Sequence, residues 1–182
     1  HKAENLDTLF EYRVLNVRNL NEQKIFKIRA SLTRYLREFL NGQEFIEIDT
    51  PKLLAEATEG GAEVFKLEYF GKTATLAQSP QFYKQMAMTA GLGRVFEIGP
   101  VFRADPSFTS RHATEFVSVD IEVSWIDSHE DIMAIQEQLM SRMLQAVKDA
   151  HGDEIKRLFD IDVVVPSTRS EEHTSELQSR ET

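Results

Sequence analysis

The residues best suited to chemistry lie in one stretch in the middle of the chain, residues 94–126. A polar loop within this stretch carries two arginines, an aspartate and a histidine: Arg103, Asp105, Arg111 and His112. No Ser-His-Asp or Cys-His signature accompanies them, so the sequence does not predict a nucleophilic side chain. The chemistry that these residues indicate is the binding of a polar ligand.

The stretches on either side of this loop alternate along the chain, which predicts a strand, a loop and a returning antiparallel strand. One face of the second stretch consists of Phe116, Ser118, Asp120, Glu122 and Ser124, and it therefore carries two carboxylates and two hydroxyls. A strand with a purely structural role would not carry such a face, so we interpret it as the floor of a polar cleft. In the first stretch Gly99 leaves the backbone open to a ligand.

Asp120 and Glu122 lie two residues apart and therefore share this face of the strand. They could help to hold a Mg²⁺–ATP complex or the amine of a substrate. They could equally pair with nearby arginines, and the sequence leaves these alternatives open.

Several predicted elements surround the central stretch. Residues 21–41 are an amphipathic helix with Asn21 as a candidate cap, and residues 128–151 are a second helix that Gly152 would end. A short strand ends at Pro51, a strand covers residues 73–76, and the FDIDVVV segment predicts one more. The fold class is therefore α+β, with an antiparallel sheet flanked by helices.

The length, composition and net charge of the chain limit the classes of protein to which it can belong. Its 182 residues are 41% hydrophobic, which allows one domain with a real core. The net charge of -9 argues against a general polyanion-binding surface. The chain has no cysteine and its histidines lack metal spacing, so we predict no protein metal site. No apolar run approaches the ~20 residues that span a bilayer, and we expect a cytoplasmic protein without a membrane partner.

Two shorter motifs remain. Glu59 precedes Gly60 and Gly61, which is typical of a surface turn but also of a mobile lid that closes on a charge. Gln81 and Lys84 lie three residues apart behind Ser79-Pro80 and so share the first turn of a predicted helix. For an isolated motif of this kind, a solvated lysine on a capped surface helix is the more frequent outcome.

The segments FRAD, RHATEF and VDIE resemble the second signature motif of the class II aminoacyl-tRNA synthetases. The helix at 21–41, the strand after it and Pro51 resemble the first motif. The segment QSPQFYK resembles the aspartate-recognition segment of aspartyl-tRNA synthetases. More narrowly, FRAD, RHATEF and VDIE look like the corresponding segments of the archaeal type. Asp105 stands where the family usually carries a glutamate. The resemblance covers roughly residues 5–165.

The resemblance implies an ATP site. Arg103 is the implied catalytic residue, since it would contact the α-phosphate of ATP and the carboxylate of the substrate. Arg111 and His112 would contact the γ-phosphate, and Mg²⁺ would accompany the nucleotide. Phe116 would stack on adenine while Asp105 approaches its amino group. The implied ATP-binding set is Arg103, Asp105, Arg111, His112, Ala113 and Phe116.

The resemblance also implies an L-aspartate site. Glu59 would meet the ammonium group of the amino acid, and Lys84 would pair with its side-chain carboxylate. Gln81 and Arg103 complete the implied set. The implied reaction is ATP-dependent formation of aspartyl-adenylate, followed by transfer to tRNA-Asp. Whether tRNA-Asn is a second acceptor stays open.

The family organisation predicts three segments. Residues 1–20 would be a linker from a missing N-terminal anticodon-binding domain, and residues 21–168 a C-terminally truncated catalytic domain. Residues 21–51 would form the interface of a homodimer. Residues 169–182 resemble the translation of a sequencing-library adapter, and a disordered acidic tail is the alternative. Since the third class II motif is absent, we expect this chain by itself to be inactive.

Other functions are compatible with parts of this sequence pattern. The asparaginyl and lysyl enzymes of the same subclass are the nearest, and Lys84 argues against both. A non-catalytic synthetase-like domain and an ammonia-dependent asparagine synthetase, which shares the fold, are further alternatives.

Overall fold

The computed structural model describes residues 5–56, 63–105 and 112–168. The chain forms two compact units. The first comprises the described residues of His1–Phe39 and Glu130–Thr182, and the second those of Leu40–His129. Among the described residues, the helices are all too short or too polar to cross a bilayer.

The first unit is helical. The segment predicted as a linker carries two short helices, α1 (Leu6–Glu11) and α2 (Arg13–Asn16). The next helix, α3, spans Leu20–Gly42. The Asn19 side chain accepts the backbone N–H of Asn21 at 3.1 Å. The residue that caps α3 is therefore Asn19, two positions before the predicted one.

The last helix, α5 (His129–Phe159), is longer than predicted because Gly152 does not end it. Its buried side chains are Leu139, Met143, Val147 and Ile155. The first three follow one another at intervals of four residues, and Ile155 lies two such intervals beyond Val147, so the buried stripe continues past the glycine. Burial of Ile155 outweighs the low helix propensity of one glycine. Within this unit, α5 contacts α3 through an ion pair between Lys24 and Glu154 and a 2.9 Å bond between Ser31 and His151.

The prediction of a last strand in the FDIDVVV segment is wrong. No residue of this segment after the helix is in a strand, and Ile161 and Val164 are exposed. An apolar alternating run cannot form a stable strand without a neighbour that satisfies its backbone, and the described chain offers it none.

The second unit contains two three-stranded sheets. One has the order β1-β5-β6, from Ile46–Glu47, Arg94–Phe102 and Glu115–Val123. The other has the order β2-β4-β3, from Leu53–Leu54, Lys72–Leu76 and Lys66–Tyr69. Antiparallel pairing is confirmed for β5–β6 and throughout the second sheet, whereas β1 runs parallel to β5.

Residue Ala77 connects the two sheets through its backbone. Its N–H donates to the carbonyl of Lys52 at 3.0 Å, and its carbonyl accepts the N–H of Phe102 at 2.9 Å. Val95 and Phe96 in β5 are fully buried, as is Leu40 at the end of α3. The helix α4 (Gln81–Thr89) follows this connection and packs against β5 and β6.

Exposure along β6 follows the position of α4. Asp120 and Glu122 are half-buried, because Lys84 of α4 lies on their face of the sheet. On the opposite face Val117 and Val119 are 49% and 41% exposed. The polar face of the strand is thus the better covered of the two at these positions.

Two leucines of α3 offer a matched test of this core. Leu40 has no exposed surface, whereas Leu20 is 74% exposed. We expect Leu40→Ala to lower the free energy of unfolding by about 2–5 kcal/mol, because it leaves a cavity. Leu20→Ala should change it by less than about 0.5 kcal/mol. Denaturant titration followed by circular dichroism measures both, and equal losses would contradict the placement of Leu40.

Candidate functional site

The ends of β5 and β6 position the central residues of the predicted ATP site. The Arg103 N–H donates to the Thr114 carbonyl at 2.9 Å, which continues the strand pairing by one step beyond Phe102 and Glu115. The next residue, Ala104, donates its N–H to the Glu63 carbonyl at 3.1 Å. The backbone beneath the Arg103 side chain is therefore fixed on both sides.

A pocket of about 330 Å³ opens at these strand ends. Its lining consists of Arg103, Asp105, His112, Ala113 and Phe116. All five belong to the ATP-binding set predicted from the sequence. Two other predicted residues, Arg111 and Glu59, lie outside the described residues.

Within the pocket, the guanidinium carbon of Arg103 lies 5.6 Å from the centroid of the Phe116 ring. At this distance the guanidinium and the ring attract each other through a cation–π interaction, which favours a position of the guanidinium over the face of the Phe116 ring. Arg103 is exposed, so its N–H groups remain accessible to an anion. The arrangement therefore combines a donor for a phosphate or carboxylate with a flat apolar surface for a planar ring.

The other predicted ligands lie on the first turn of α4. Ser79 accepts the backbone N–H of Gln81 at 3.2 Å, and Pro80 accepts that of Lys84 at 2.9 Å. The helix thus begins at Gln81, with Pro80 as its N-cap residue. This places Lys84 one turn into the helix, on the side that faces β6.

Lys84 forms ion pairs with two carboxylates of β6. Its Nζ lies 2.6 Å from Oδ1 of Asp120 and 3.0 Å from Oε2 of Glu122. The three side chains are between 12% and 27% exposed. The partner of the two carboxylates is therefore a lysine, and not one of the arginines that the sequence suggested.

These contacts shift the ionisation of the lysine. Burial is the largest influence and by itself would lower the pKa of Lys84. Hydrogen bonds and charge attraction from Asp120 and Glu122 together outweigh it and raise the pKa above its ordinary value of 10.5. Lys84 is thus a cation throughout the physiological pH range.

A second ion-paired cluster was not predicted from the sequence. Glu97 of β5 is only 6% exposed, and the Lys52 Nζ lies 2.9 Å from both of its carboxylate oxygens. Thr50 donates its N–H to Glu97 at 2.9 Å and its hydroxyl at 2.8 Å. The alternation of β5 puts Glu97 on the face of Gly99 and Arg103, but no sequence spacing identifies Lys52 as its partner.

The pocket and the Lys84 cluster share one face of β6. Phe116 and Asp120 are both on this face and lie four residues apart, which corresponds to about 13 Å along a strand. An elongated ligand lying along β6 would therefore reach from the aromatic plate to the lysine.

No group of three or more His, Cys, Asp or Glu side chains within residues 5–56, 63–105 and 112–168 is arranged to hold a metal ion. Asp120 and Glu122 are already bonded to Lys84. The described residues therefore do not form a dedicated metal site.

Comparisons with known proteins identify the family of the chain. The family model described as tRNA synthetases class II (D, K and N) matches residues 5–179. The aspartate–tRNA(Asp/Asn) ligase of Methanopyrus kandleri is 50% identical over 153 residues, which is 84% of this chain and 36% of that protein. The aspartate–tRNA(Asp) ligase of Pyrococcus abyssi is 49% identical over 157 residues, 86% of this chain and 36% of that protein.

Among solved structures, the asparaginyl-tRNA synthetase of Pyrococcus horikoshii complexed with asparaginyl-adenylate superposes with a TM-score of 0.78 at 38% identity. The superposition covers 84% of this chain and 35% of that one. The chain thus spans about a third of the length of the curated relatives it matches. The match over residues 5–179 shows that the chain belongs to the class II tRNA synthetases of the D, K and N group.

Proposed function

We propose that the protein containing this chain activates L-aspartate with ATP and transfers it to tRNA-Asp. The observation that carries the proposal is the arrangement of side chains along one face of β6. It joins an arginine–aromatic pocket at one end to a lysine held by two carboxylates at the other. The names of the Methanopyrus and Pyrococcus abyssi relatives support aspartate as the amino acid.

The reaction needs no nucleophile from the protein. The α-carboxylate of aspartate, ionised at neutral pH, attacks the α-phosphorus of ATP and pyrophosphate leaves. The role of the protein is to align two anions and to neutralise charge on the phosphoryl oxygens. We assign that role to Arg103, with Phe116 stacking on adenine and Asp105 near its amino group. Arg111, His112 and Ala113 complete the nucleotide site.

Lys84 is suited to the side chain of aspartate because of its hydrogen-bonding capacity. An ammonium group carries three N–H bonds, and Asp120 and Glu122 account for two of them. The third can donate to the side-chain carboxylate of the substrate. We assign Gln81 to the same site, and Glu59 to the substrate ammonium.

The same lysine distinguishes aspartate from asparagine. A hydrogen bond between two charged groups is roughly twice as strong as one between neutral groups, so Lys84 favours a carboxylate over an amide. The likeness to an asparaginyl-tRNA synthetase makes asparagine the second candidate substrate. The relatives are named for tRNA-Asp alone or for both tRNA-Asp and tRNA-Asn, and we leave the second acceptor open.

Further parts of the proposal concern the metal, the assembly and the location. We assign Mg²⁺ to the phosphates of ATP, where this ion commonly binds with few protein ligands. We assign residues 21–51 to a homodimer interface, since Ile25, Phe26 and Ile46 expose about half of their surface. Charging of tRNA would place the protein in the cytoplasm.

The direct test is ATP–pyrophosphate exchange, measured on the full-length protein that carries this chain. We expect exchange to depend on aspartate and to be at least about tenfold weaker with asparagine at equal concentration. Stronger exchange with asparagine than with aspartate would favour the asparaginyl candidate, and equal exchange with both would contradict the selectivity assigned to Lys84. No exchange with either amino acid would overturn the proposal.

Arg103 can be tested against a matched arginine. Arg103→Met should lower the exchange rate by about 10²–10³, because it removes a preorganised donor from the phosphoryl transition state. Arg142, whose guanidinium lies 5.8 Å from the Phe39 ring, provides the control. Arg142→Met should leave exchange unchanged, and similar losses in both variants would contradict the assignment.

Lys84 can be tested through substrate affinity. Lys84→Met should raise the KM for aspartate by about two orders of magnitude, because it removes a charge-assisted hydrogen bond and leaves two carboxylates without their cation. The KM for ATP should change little. Lys156→Met, which breaks the exposed ion pairs to Asp160 and Asp162, is the control. An unchanged aspartate KM in Lys84→Met would contradict the role of this lysine.

A further inference from the structure

Glu97 and Asp120 face each other directly across the two central strands. They are partners in the antiparallel register of β5 and β6. Side chains in such positions have Cβ atoms about 4.5–5.5 Å apart, and like charges there repel. Glu122 lies on the same face two residues further along β6. Three carboxylates therefore crowd one small part of the sheet.

Two lysines from different elements divide these carboxylates between them. Lys52, from the segment between β1 and β2, pairs with Glu97, and Lys84 from α4 pairs with Asp120 and Glu122. The described structure shows no contact of Lys52 with Asp120 and none of Lys84 with Glu97. The charges are thus sorted into two separate clusters.

The two lysines differ in how many of their N–H bonds are used by the described protein groups. The ammonium of Lys52 contacts both oxygens of Glu97 and the hydroxyl of Thr50 at 2.9–3.0 Å, which uses all three of its N–H bonds. The ammonium of Lys84 pairs with one oxygen of each of its two carboxylates. Among the described residues, Lys52 therefore has a partner for each of its N–H bonds, while Lys84 keeps one N–H bond for a ligand.

Loss of the Lys52 charge would disturb this division. Glu97 would be a buried carboxylate without a cation, which is strongly unfavourable. It would repel Asp120 directly opposite, and it would attract Lys84, the cation that is bound to Asp120. Repulsion of Asp120 or attraction of Lys84 towards Glu97 would each turn the third N–H of Lys84 away from the substrate.

We propose that Lys52 is a positioning residue for aspartate specificity. By neutralising Glu97 it reserves Lys84 for Asp120, Glu122 and the side-chain carboxylate of the substrate. This inference rests on the proposed function, because it assumes that Lys84 binds that carboxylate. Lys52 itself does not touch the substrate.

The test compares three variants of the full-length protein that carries this chain, in ATP–pyrophosphate exchange. Lys52→Met should raise the KM for aspartate about tenfold or more, with the KM for ATP within about twofold of that of the unsubstituted protein. The double variant Lys52→Met/Glu97→Gln removes the carboxylate charge together with its cation. It should bring the aspartate KM back to within about threefold. Lys156→Met is the control and should change neither KM.

The double variant separates positioning from simple bracing of the fold. If Lys52 only stabilised the fold through its contact with Glu97, that contact would be absent from the double variant as well, and the aspartate KM would stay high. Failure of the aspartate KM to recover would therefore overturn the inference. An unchanged aspartate KM in Lys52→Met, or an equal rise in both KM values, would overturn it as well. If Lys52→Met does not fold, the double variant alone tests the inference. An aspartate KM of the double variant that is tenfold or more above that of the unsubstituted protein would then contradict it.

These outcomes differ from those that would overturn the proposed function. Absence of aspartate-dependent exchange in the unsubstituted protein would overturn the proposed function and the inference with it. An unchanged aspartate KM in Lys84→Met would overturn the role assigned to Lys84, and with it the inference, but not aspartate activation itself. Aspartate-dependent exchange that is lost in Lys84→Met but insensitive to Lys52→Met would overturn the inference alone.

Discussion

The antiparallel pairing of β5 with β6 determines where almost every candidate functional side chain of the second unit lies. Nine residues of each strand are paired, from Arg94 opposite Val123 to Phe102 opposite Glu115. Because successive side chains of a strand alternate between faces, a slip by one residue would move Asp120 and Phe116 to the opposite side of the sheet. The burial of Val95, Phe96 and Val101 opposes such a slip, since it would expose a different set of side chains.

The same register brings carboxylates close enough to repel one another, and lysines from the surrounding segments neutralise them. It places Glu97 opposite Asp120 and brings Glu122 to the same face. Lys52 and Lys84 neutralise this group and leave it with one negative charge in excess. A site of this charge is suited to a substrate that carries both an ammonium and a carboxylate. Lys84 can meet the carboxylate, while the excess negative charge favours the ammonium.

Local periodicity predicted the parts of the site that lie within single strands. Alternation along residues 94–126 predicts Asp120 and Glu122 on one face. The five residues that line the pocket follow instead from the resemblance to the second signature motif of the class II synthetases. Partnerships between distant segments were not predictable in this way. The pairing of Lys52 with Glu97 joins residues 45 positions apart, and no spacing in the sequence encodes it.

The two predictions that the structure contradicts, a helix end at Gly152 and a strand after Phe159, failed for this same reason. Gly152 is a local signal for a helix end, but the buried position of Ile155 beyond it is a tertiary property. The apolar alternation after Phe159 is a local signal for a strand, but a strand also needs a neighbour with free backbone groups. In both cases the outcome depends on packing partners that the local pattern does not contain.

The ion-paired state of Lys84 would suit this flexible side chain to the substrate-binding role that we propose for it. Ordering a free lysine costs up to about 2 kcal/mol of side-chain entropy, which would be subtracted from the binding free energy of the substrate. In this structure Asp120 and Glu122 already hold the ammonium, and the burial of its stem has taken place on folding. The remaining N–H can therefore bind a carboxylate without that cost. A lysine prepared in this way discriminates by the charge of its ligand, whereas a solvated lysine would bind many anions weakly.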